Sequence, residues 1–230
     1  QGWAVAEGPP PARCYVAMDG VRIMGTDGAG REIKLGRVVP VHDTAQGERR
    51  GPSRYAAGLE PAEAFGRRLA VLAHAQGAEQ TPKLAVLGDG AAWIWQLAAE
   101  HFPTAVQIVD WFHASERVWA LGQALYGEGT PETTAWVDAQ LTRLAAGDAA
   151  ILRDAQVTYF TNQAPRMAYH RYRAAGWDIG SGMIESGCKT VIGQREKGAG
   201  MRWSDAGAQA VANVRLLLFN TEWDDFWQAA

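Results

Sequence analysis

The chain has 230 residues, 47% of them hydrophobic and 20% charged, which is typical of a globular domain and argues against extended disorder. It has no apolar run of the roughly 18 residues that a membrane-spanning helix needs, and no charged and apolar leader for secretion. The net charge of −3 argues weakly against a nucleic-acid-binding protein. The two cysteines lie far apart and have no metal-binding spacing around them, which argues against a zinc site or a disulfide framework and favours a cytoplasmic location.

The first part of the chain is predicted to form strands. Residues 14–24 are rich in β-branched and aromatic types and predict a strand, and a turn over 26–30 leads to a hairpin partner over 31–41. The polar stretch 43–53 predicts a loop, and residues 54–59 predict a short third strand.

Helices then alternate with buried strands. Residues 61–77 predict a helix that a proline opens and a glycine closes. Short apolar runs over 83–87 and 104–109 predict strands covered on both faces, with a helix over 91–101 between them. This alternation favours parallel pairing through right-handed crossovers, and hence an α/β fold with a mixed sheet flanked by helices.

The remaining sequence has helical periodicity. Helical segments are predicted near 150–160 and 164–175, and a final pair of helices over 182–195 and 205–219. The interval 113–175 is too long for a loop, so we expect an all-helical insertion there.

The domain organisation follows from these elements. Residues 1–13 are interpreted as a leader or linker, and residues 14–112 as the first part of an α/β core. The helical insertion over 113–175 comes next, and residues 176–230 return to the core with its last helices.

Three acidic residues occupy positions that suit a catalytic site. Asp19 lies inside an apolar strand, where a charge is costly unless it is paired or bound to metal. Asp89 follows a buried strand between two glycines, and Glu185 lies in the first turn of a late helix. Each also has a purely structural explanation. Asp19 would be an acid at a hairpin edge, Asp89 a turn or helix-cap residue, and Glu185 an acid favoured by the helix dipole.

Taken together, the three acids fit metal-ion chemistry. Carboxylate oxygens are ligands that Mg²⁺ accepts, and two ions about 4 Å apart can activate a hydroxyl and stabilise a leaving oxygen in phosphodiester exchange. Acids on a first strand, after a later strand and on a late helix follow the order of a ribonuclease H-like fold. The helical insertion accounts for the long interval before Glu185.

Several longer motifs resemble one protein family. The chain is similar to the ISKra family of bacterial insertion-sequence transposases, relatives of the Mutator-like DDE group, over about residues 14–227. The motifs that carry this resemblance are LGDGAAWIWQLAAEHFP (87–103), VQIVDWFHASERVWALGQALYG (106–127), NQAPRMAY (162–169), IGSGMIESGCKTVIGQREKGAGMRWS (179–204) and TEWDDFW (221–227).

The resemblance implies a function for the three acids. Asp19, Asp89 and Glu185 become the catalytic, metal-binding residues of a DNA transposase that uses two Mg²⁺ or Mn²⁺ ions for DNA cleavage and strand transfer. Asp110 and His113 form a D-x-x-H signature. His113 either has a functional role, orienting a scissile phosphate or shuttling a proton, or only hydrogen-bonds to a carboxylate. Asp110 also ends a buried strand and competes with Asp89 for the second metal-ligand position.

The basic residues near the end of the chain acquire a role in the same way. Residues 166–202 contain seven Lys or Arg residues against three acids, which offsets the negative net charge locally. The expected partners are double-stranded DNA, at transposon ends and target, and further copies of the chain, with no membrane. The expected DNA-binding residues are Lys189, Arg195, Lys197, Arg202 and Trp203.

The chain departs from the family pattern at one position, and two alternatives to a catalytic transposase domain stay open. Glu196 stands where the family's RLKGSGMRW motif has an apolar residue. An N-terminal DNA-recognition region of the family has no counterpart here, so a catalytically inert fragment that binds DNA or a partner is one alternative. The other is a glycoside hydrolase that uses Asp224 and Asp225, which the absence of a secretion signal disfavours.

Overall fold

The computed structural model describes residues 9–148, 158–180 and 182–229. Most of the helical segment expected near 150–160 lies outside the described residues, and so do the first eight residues of the expected leader. The chain divides into two compact units. Of the described residues, the first unit comprises 9–86, 92–106 and 182–229, and the second comprises 87–91, 107–148 and 158–180.

Six strands among the described residues form one mixed sheet with the order β3-β2-β1-β5-β6, and β4 pairs with β2 beside this path. The expected α/β architecture, a sheet flanked by helices, is therefore confirmed. The strands are β1 (Arg13–Met24), β2 (Gly30–Thr44), β3 (Gly47–Arg50), β4 (Arg54–Gly58), β5 (Leu84–Gly88) and β6 (Val106–Val109).

The helices follow the predicted order, and none in the described part of the chain is both long and apolar enough to cross a membrane. Those before the final segment are α1 (Ala62–Ala75), α2 (Ala92–His101), α3 (Trp111–Tyr126), α4 (Pro131–Ala145), α5 (Thr158–Gln163), a 3₁₀ turn (Ala164–Arg166) and α6 (Tyr169–Ala174). The final segment contains α7 (Gly182–Gly187), a π-helical segment (Cys188–Gly193), α8 (Gln194–Glu196), α9 (Asp205–Phe219) and α10 (Trp223–Gln228).

The predicted hairpin is the longest pairing of the sheet. β1 and β2 are antiparallel, with Asp19 opposite Leu35. The turn between them closes with a hydrogen bond from Gly25 N–H to the Ala29 carbonyl, and Gly28 adopts a φ of +82° that suits a residue without Cβ. Because β1 lies inside the sheet, its residues 14–18 are all buried.

Two expectations about local structure are wrong. The stretch 43–53 is not one loop, because β2 continues to Thr44 and a turn over 45–46 leads into the strand β3, whose first residue, Gly47, has a φ of +107°. All four residues of β3 are exposed, so no apolar alternation marks it in the sequence. The helix expected over 182–195 is interrupted by the π-helical segment, which helical periodicity does not reveal.

In the first unit, helices cover both faces of β2. A Cβ added to Gly36 would lie 2.6 Å from the Leu69 side chain of α1, and one added to Gly187 of α7 would lie 3.2 Å from Leu35. Consecutive residues of a strand point to opposite faces, so α1 and α7 pack on opposite sides of the strand. Gly187 thus allows α7 to approach the sheet closely.

The free edge of β4, also in the first unit, is covered by the end of α9. The side chain of Asn220 accepts a hydrogen bond from Tyr55 N–H at 2.7 Å and donates one to the Tyr55 carbonyl at 3.0 Å. Asn220 is 3% exposed, and Arg54 donates to its backbone carbonyl. One amide side chain therefore takes the place of a neighbouring strand.

The second unit contains a helical hairpin and a smaller helical segment. Thr130 caps α4 by accepting the Thr133 N–H at 3.1 Å, and α3 packs against α4 where Gly122 meets Val137. Tyr169 at the start of α6 is fully buried, and its hydroxyl donates to the carbonyl of Val109 at 3.2 Å. These contacts hold α6 against the end of β6.

We expect Asn220→Ala to lower the free energy of unfolding by about 1–3 kcal/mol, because it leaves both backbone groups of Tyr55 without their partner. Urea denaturation measures this change. The control is Asn213→Ala on the exposed face of the same helix, which should change stability by less than about 0.5 kcal/mol. Equal effects of the two substitutions would contradict the edge-covering role.

Candidate functional site

In the first unit, Asp19 is held in β1 by two identified hydrogen bonds. Its Oδ1 accepts the N–H of Gly20 at 2.7 Å, and its Oδ2 accepts the thiol of Cys188 at 3.2 Å. Asp19 is half-buried, as an acid in the middle of an internal strand must be. The thiol donor comes from a residue 169 positions later, so this contact is a product of the fold and not of local sequence.

Glu185 approaches the same thiol from α7. Burial raises the pKa of the Cys188 thiol well above its usual range, and the negative charges of Asp19 and Glu185 raise it further. Glu185 itself is exposed in the first turn of its helix, the position expected from the sequence. Two of the three predicted catalytic acids therefore lie around one protonated thiol within the first unit.

Arginine side chains fix the segment that carries Glu185. Arg37 of β2 donates to the carbonyl of Met183 and, at 3.1 Å, to the hydroxyl of Ser186. In the π-helical segment, Arg215 of α9 donates to the carbonyls of Thr190 and Val191. These donors satisfy backbone groups on either side of the thiol, which holds Glu185 and Cys188 in place relative to β1.

In the second unit, Asp89 follows β5 as predicted. Its Oδ1 accepts the N–H of Ala91 at 2.9 Å, and its backbone carbonyl accepts the hydroxyl of Tyr159 at 2.9 Å. Gly90 has a φ of +107°, and a Cβ there would lie 2.8 Å from the Tyr159 ring. The glycine after Asp89 is therefore required both by its backbone conformation and by the aromatic ring packed against it.

Asp110 and His113 form a pair in the same unit. Asp110 is fully buried and caps α3, with Oδ1 accepting the backbone N–H of His113 at 2.7 Å and lying 3.0 Å from its ring Nδ1. The N–H of Asp110 donates to the carbonyl of Gly88 at 2.8 Å, which ties it to the end of β5. His113 thus makes the hydrogen bond to a carboxylate that was one of its two expected roles.

Sequence reasoning did not identify Tyr159 and Cys188 as residues of these clusters. Burial raises the pKa of Tyr159, and the charges of Asp89 and Asp110 raise it further, so this hydroxyl stays protonated at the ends of β5 and β6. Cys188 lies three residues after Glu185 in the sequence, whereas Tyr159 lies 70 residues after Asp89 and has no signal near any predicted acid. Long-range contacts of this kind leave no periodic pattern.

Three of the side chains have the chemistry to hold a metal ion. Asp110 and His113 of the second unit offer a carboxylate oxygen and an imidazole nitrogen, and Glu185 of the first unit offers a further carboxylate. Oxygen ligands suit Mg²⁺ and Mn²⁺, and imidazole is accepted by Mn²⁺ and other transition metals.

The basic residues expected to bind DNA lie mostly on the surface of the first unit. Lys189, Arg195, Lys197 and Arg202 are exposed, and Trp203 is half-buried. Lys189 does not follow Glu185 by one regular α-helical turn, because the π-helical segment begins between them.

We define the basic turn as residues 197–203, between α8 and α9. Its last residue, Trp203, pairs with the end of β1 through hydrogen bonds of 3.0 Å to Met24 and Thr26, and its indole donates to the Glu196 carbonyl at 3.1 Å. The indole of Trp203 therefore serves as a structural anchor, and the exposed cations precede it along the turn.

Glu196 is buried at the start of this turn. It is 1% exposed, and neither of its carboxyl oxygens has a hydrogen-bond partner among the described residues. Burial raises the pKa of Glu196 to about 7. Position 196 is therefore buried, as an apolar residue would be, but the residue that occupies it is an acid.

The described residues thus offer two clusters of acids, one in each unit, and a basic turn in the first. Asp224 and Asp225, the pair considered for glycoside hydrolysis, are both exposed on α10. The chain matches no protein-family model and no curated protein.

We expect Asp19→Asn to increase the reactivity of Cys188, because removing the adjacent negative charge lowers the pKa of the thiol. Well below that pKa, the thiolate fraction rises about tenfold for each unit by which the pKa falls. Alkylation by iodoacetamide in EDTA, followed residue by residue by mass spectrometry, measures the rate. Asp43→Asn, at an exposed position of β2, is the control and should leave the rate unchanged; equal rates in both variants and the parent chain would count against the Asp19–Cys188 contact.

We expect Glu196 to make the free energy of unfolding fall as the pH rises from about 4.5 to about 7. The folded state raises the pKa of Glu196 from 4.5 to about 7 and so binds more protons than the unfolded state across this range. Above pH 7 the penalty is complete and amounts to about 3 kcal/mol at most. Glu196→Gln should remove this pH dependence, and Glu196→Leu should also stabilise the protein at about pH 8.

Chemical denaturation at a series of pH values tests this expectation. Glu63→Gln, at an exposed position in the first turn of α1, is the matched control and should keep the pH dependence of the parent chain. The burial of an ionisable Glu196 would be refuted if Glu196→Gln behaved like the control.

Proposed function

We propose that the chain is the catalytic domain of a DDE transposase with a ribonuclease H-like core, which cleaves DNA at the ends of a mobile element and transfers the strand to a target. The observation that carries the proposal is the meeting of Asp19 and Glu185 around the Cys188 thiol in the first unit. Packing alone gives no reason for two acids so distant in sequence to lie near each other, because their negative charges repel. A shared cation is the simplest reason to bring their charges together.

The other candidate acids predicted from the sequence belong to the second unit. Asp89 and Asp110 follow β5 and β6, and a backbone hydrogen bond joins Asp110 to the residue before Asp89. Strand ends of this kind are where α/β sheets place their functional residues. We propose Asp89 as the second catalytic acid, with Asp110 as the competing candidate, because Asp110 is fully buried and already engaged by His113.

The chemistry of the donor set fits Mg²⁺ or Mn²⁺. Carboxylate oxygens dominate the proposed site, and the one thiol nearby is held protonated by burial and by two negative charges, which makes it a poor ligand. The metal ions, when bound, would supply charge neutralisation at the reacting phosphate. We propose two ions held by Asp19, Asp89 and Glu185, with Asp110 and His113 as further candidate ligands.

The protein's own residues have two tasks in the proposed reaction. The acids orient the attacking hydroxyl through the groups they bind, and His113, fixed by Asp110, is placed to donate to a phosphate oxygen or to keep the carboxylate aligned. The exposed cations Lys189, Arg195, Lys197 and Arg202 contact the DNA backbone and set its position without reading its sequence. We also propose that the active form contains more than one copy of the chain, since two element ends must be joined.

The proposed function is tested with a nicking and strand-joining assay on supercoiled DNA, at low salt with Mg²⁺ or Mn²⁺. Asp19→Asn and Glu185→Gln should each reduce product by at least about a thousandfold, because each removes a negative charge proposed to hold the metal ions that stabilise the transition state. The matched controls are Asp43→Asn and Glu63→Gln, which change exposed acids of the first unit and should keep full activity.

The same assay decides between the two candidates for the second acid. Loss of product in Asp89→Asn with retention in Asp110→Asn assigns that position to Asp89, and the reverse pattern assigns it to Asp110. Retained product in Asp19→Asn would contradict the proposed triad. Absence of product from the folded parent chain, with DNA binding intact, would favour the inert DNA-binding alternative.

A further inference from the structure

Three large aromatic side chains of the last helix, α10, are exposed together. Trp223, Phe226 and Trp227 are 37%, 46% and 59% exposed. The ring of Trp227 packs edge-on against the other two, with centroids 5.7 Å from that of Trp223 and 5.2 Å from that of Phe226. Their spacing of three and four residues puts them on one face of the helix, which we call the aromatic ridge. Exposed apolar patches of this kind are typical of surfaces that contact another molecule.

An apolar groove of about 490 Å³ lies along the preceding helix, α9, and we call it the α9 groove. It is lined by the exposed side chains of Val214 and Leu218, one helical turn apart, and by Met201 and Trp203 of the basic turn. None of the residues of α10, all of which are described, lines the groove of its own chain. Pockets of roughly 300–1,000 Å³ hold small molecules, so the α9 groove has room for aromatic side chains.

The ridge and the groove carry opposite charges. Arg195 and Arg215 line the groove, and neither is paired with an acid in the described part of the chain, since Arg215 donates to two neutral backbone carbonyls. On α10, Asp224 and Asp225 are exposed beside the aromatic residues and have no ion-pair partner among the described residues. An acidic helix with an aromatic face therefore matches an apolar groove with cations at its side.

A second copy of the chain can cover both surfaces at once, because each copy carries a ridge and a groove. The helix α9 has 15 residues and is about 22 Å long. The ridge follows its C-terminal end, and the basic turn, which lines the groove, precedes its N-terminal end. If two α9 helices lie antiparallel, the ridge of each copy lies beside the groove of the other. Such a two-fold arrangement closes on itself and leaves no ridge or groove for a third copy.

We propose that the chain forms a two-fold dimer in which the aromatic ridge of each copy docks into the α9 groove of the other. Asp224 and Asp225 then lie next to Arg195 and Arg215 of the second copy. The main driving force is the burial of aromatic and aliphatic side chains that a single copy exposes. Arg195 is also a proposed DNA contact, and its five N–H donors allow it to bond to a carboxylate and a phosphate together.

The inference goes beyond the proposed function. That function calls for more than one copy of the chain, and the inference names the surface through which the copies meet. The contact itself needs neither DNA nor a metal ion, so it can be tested without either.

Sedimentation velocity of the whole chain, at low salt in EDTA and without DNA, tests the proposal. The parent chain should be a dimer at roughly 50 μM. Trp227→Ala and Val214→Asp should each raise the dissociation constant at least about tenfold, because buried aromatic anchors dominate interface affinity and a charge is unfavourable in an apolar groove. The matched controls are Trp119→Ala and Val71→Asp, which change exposed side chains of α3 and α1 and should leave the dissociation constant unchanged.

Mixing the two variants distinguishes a ridge in a groove from two grooves in contact. Val214→Asp keeps its ridge and Trp227→Ala keeps its groove, so a mixed dimer has one intact contact, whereas a dimer of either variant alone has none. The equimolar mixture should therefore form dimers at concentrations at which each variant alone is monomeric. Circular dichroism and urea denaturation should show that both variants fold like the parent chain, because the two side chains are exposed.

The charges are tested separately from the apolar contact. Asp224→Asn combined with Asp225→Asn should raise the dissociation constant about threefold or more at low salt, and the difference from the parent chain should vanish in 1 M NaCl. The control combines Asp43→Asn with Glu63→Gln, at exposed positions of β2 and α1. Equal dissociation constants of the two double variants at low salt would contradict the contact between these acids and the groove arginines.

The proposal is overturned if the parent chain is a monomer at roughly 50 μM, if neither Trp227→Ala nor Val214→Asp weakens the dimer, or if the mixture forms no more dimer than its components. The outcome can be separated from the test of catalysis. Dimers of a chain that does not cleave DNA would support the contact and count against the transposase, and cleavage by a monomeric parent chain would do the reverse.

Discussion

The pairing of β1 with β2 is the constraint on which the first unit depends. Twelve consecutive residues of β1 are in register with β2, and this register puts Asp19 opposite Leu35. Leu35 and Gly36 then receive α7 and α1 on opposite faces of the strand. A shift by one residue would exchange these faces, so that neither helix could pack and Cys188 would lose its carboxylate partner. The position of the first acid and the packing of the core are therefore fixed by the same set of backbone hydrogen bonds.

The sequence predicted those parts of the fold that have a local signal. β1, α1 and α9 have strong apolar patterns, and each is found within one or two residues of its predicted bounds. The β3 strand was missed because all its residues are exposed, so no pattern of burial marks its pairing with β2. The π-helical segment was missed because helical periodicity does not mark it, and the arginine that donates to two of its carbonyls, Arg215, comes more than twenty residues later.

In the candidate site, too, only the features that have a local signal in the sequence could be predicted. Asp89 and Asp110 could be singled out because each follows a short apolar strand, and the geometry of strand ends is general. The hydrogen bond between Asp110 and His113 is also local, since it spans three residues at the start of a helix. Cys188 and Tyr159 contact the acids only because the chain folds back over a long distance, so no spacing in the sequence could place them.

Glu196 is an acid at a position where burial favours an apolar side chain. A side chain that is buried without a partner lowers stability above neutral pH, so an apolar residue would serve the fold better at this position. The cations of the basic turn cannot be the reason for the acid's burial, because none of them bonds to it. The cost of burying this acid is therefore carried by the rest of the fold, and it is largest above neutral pH, where the carboxyl group must be ionised in the unfolded state and is forced to ionise in the folded one.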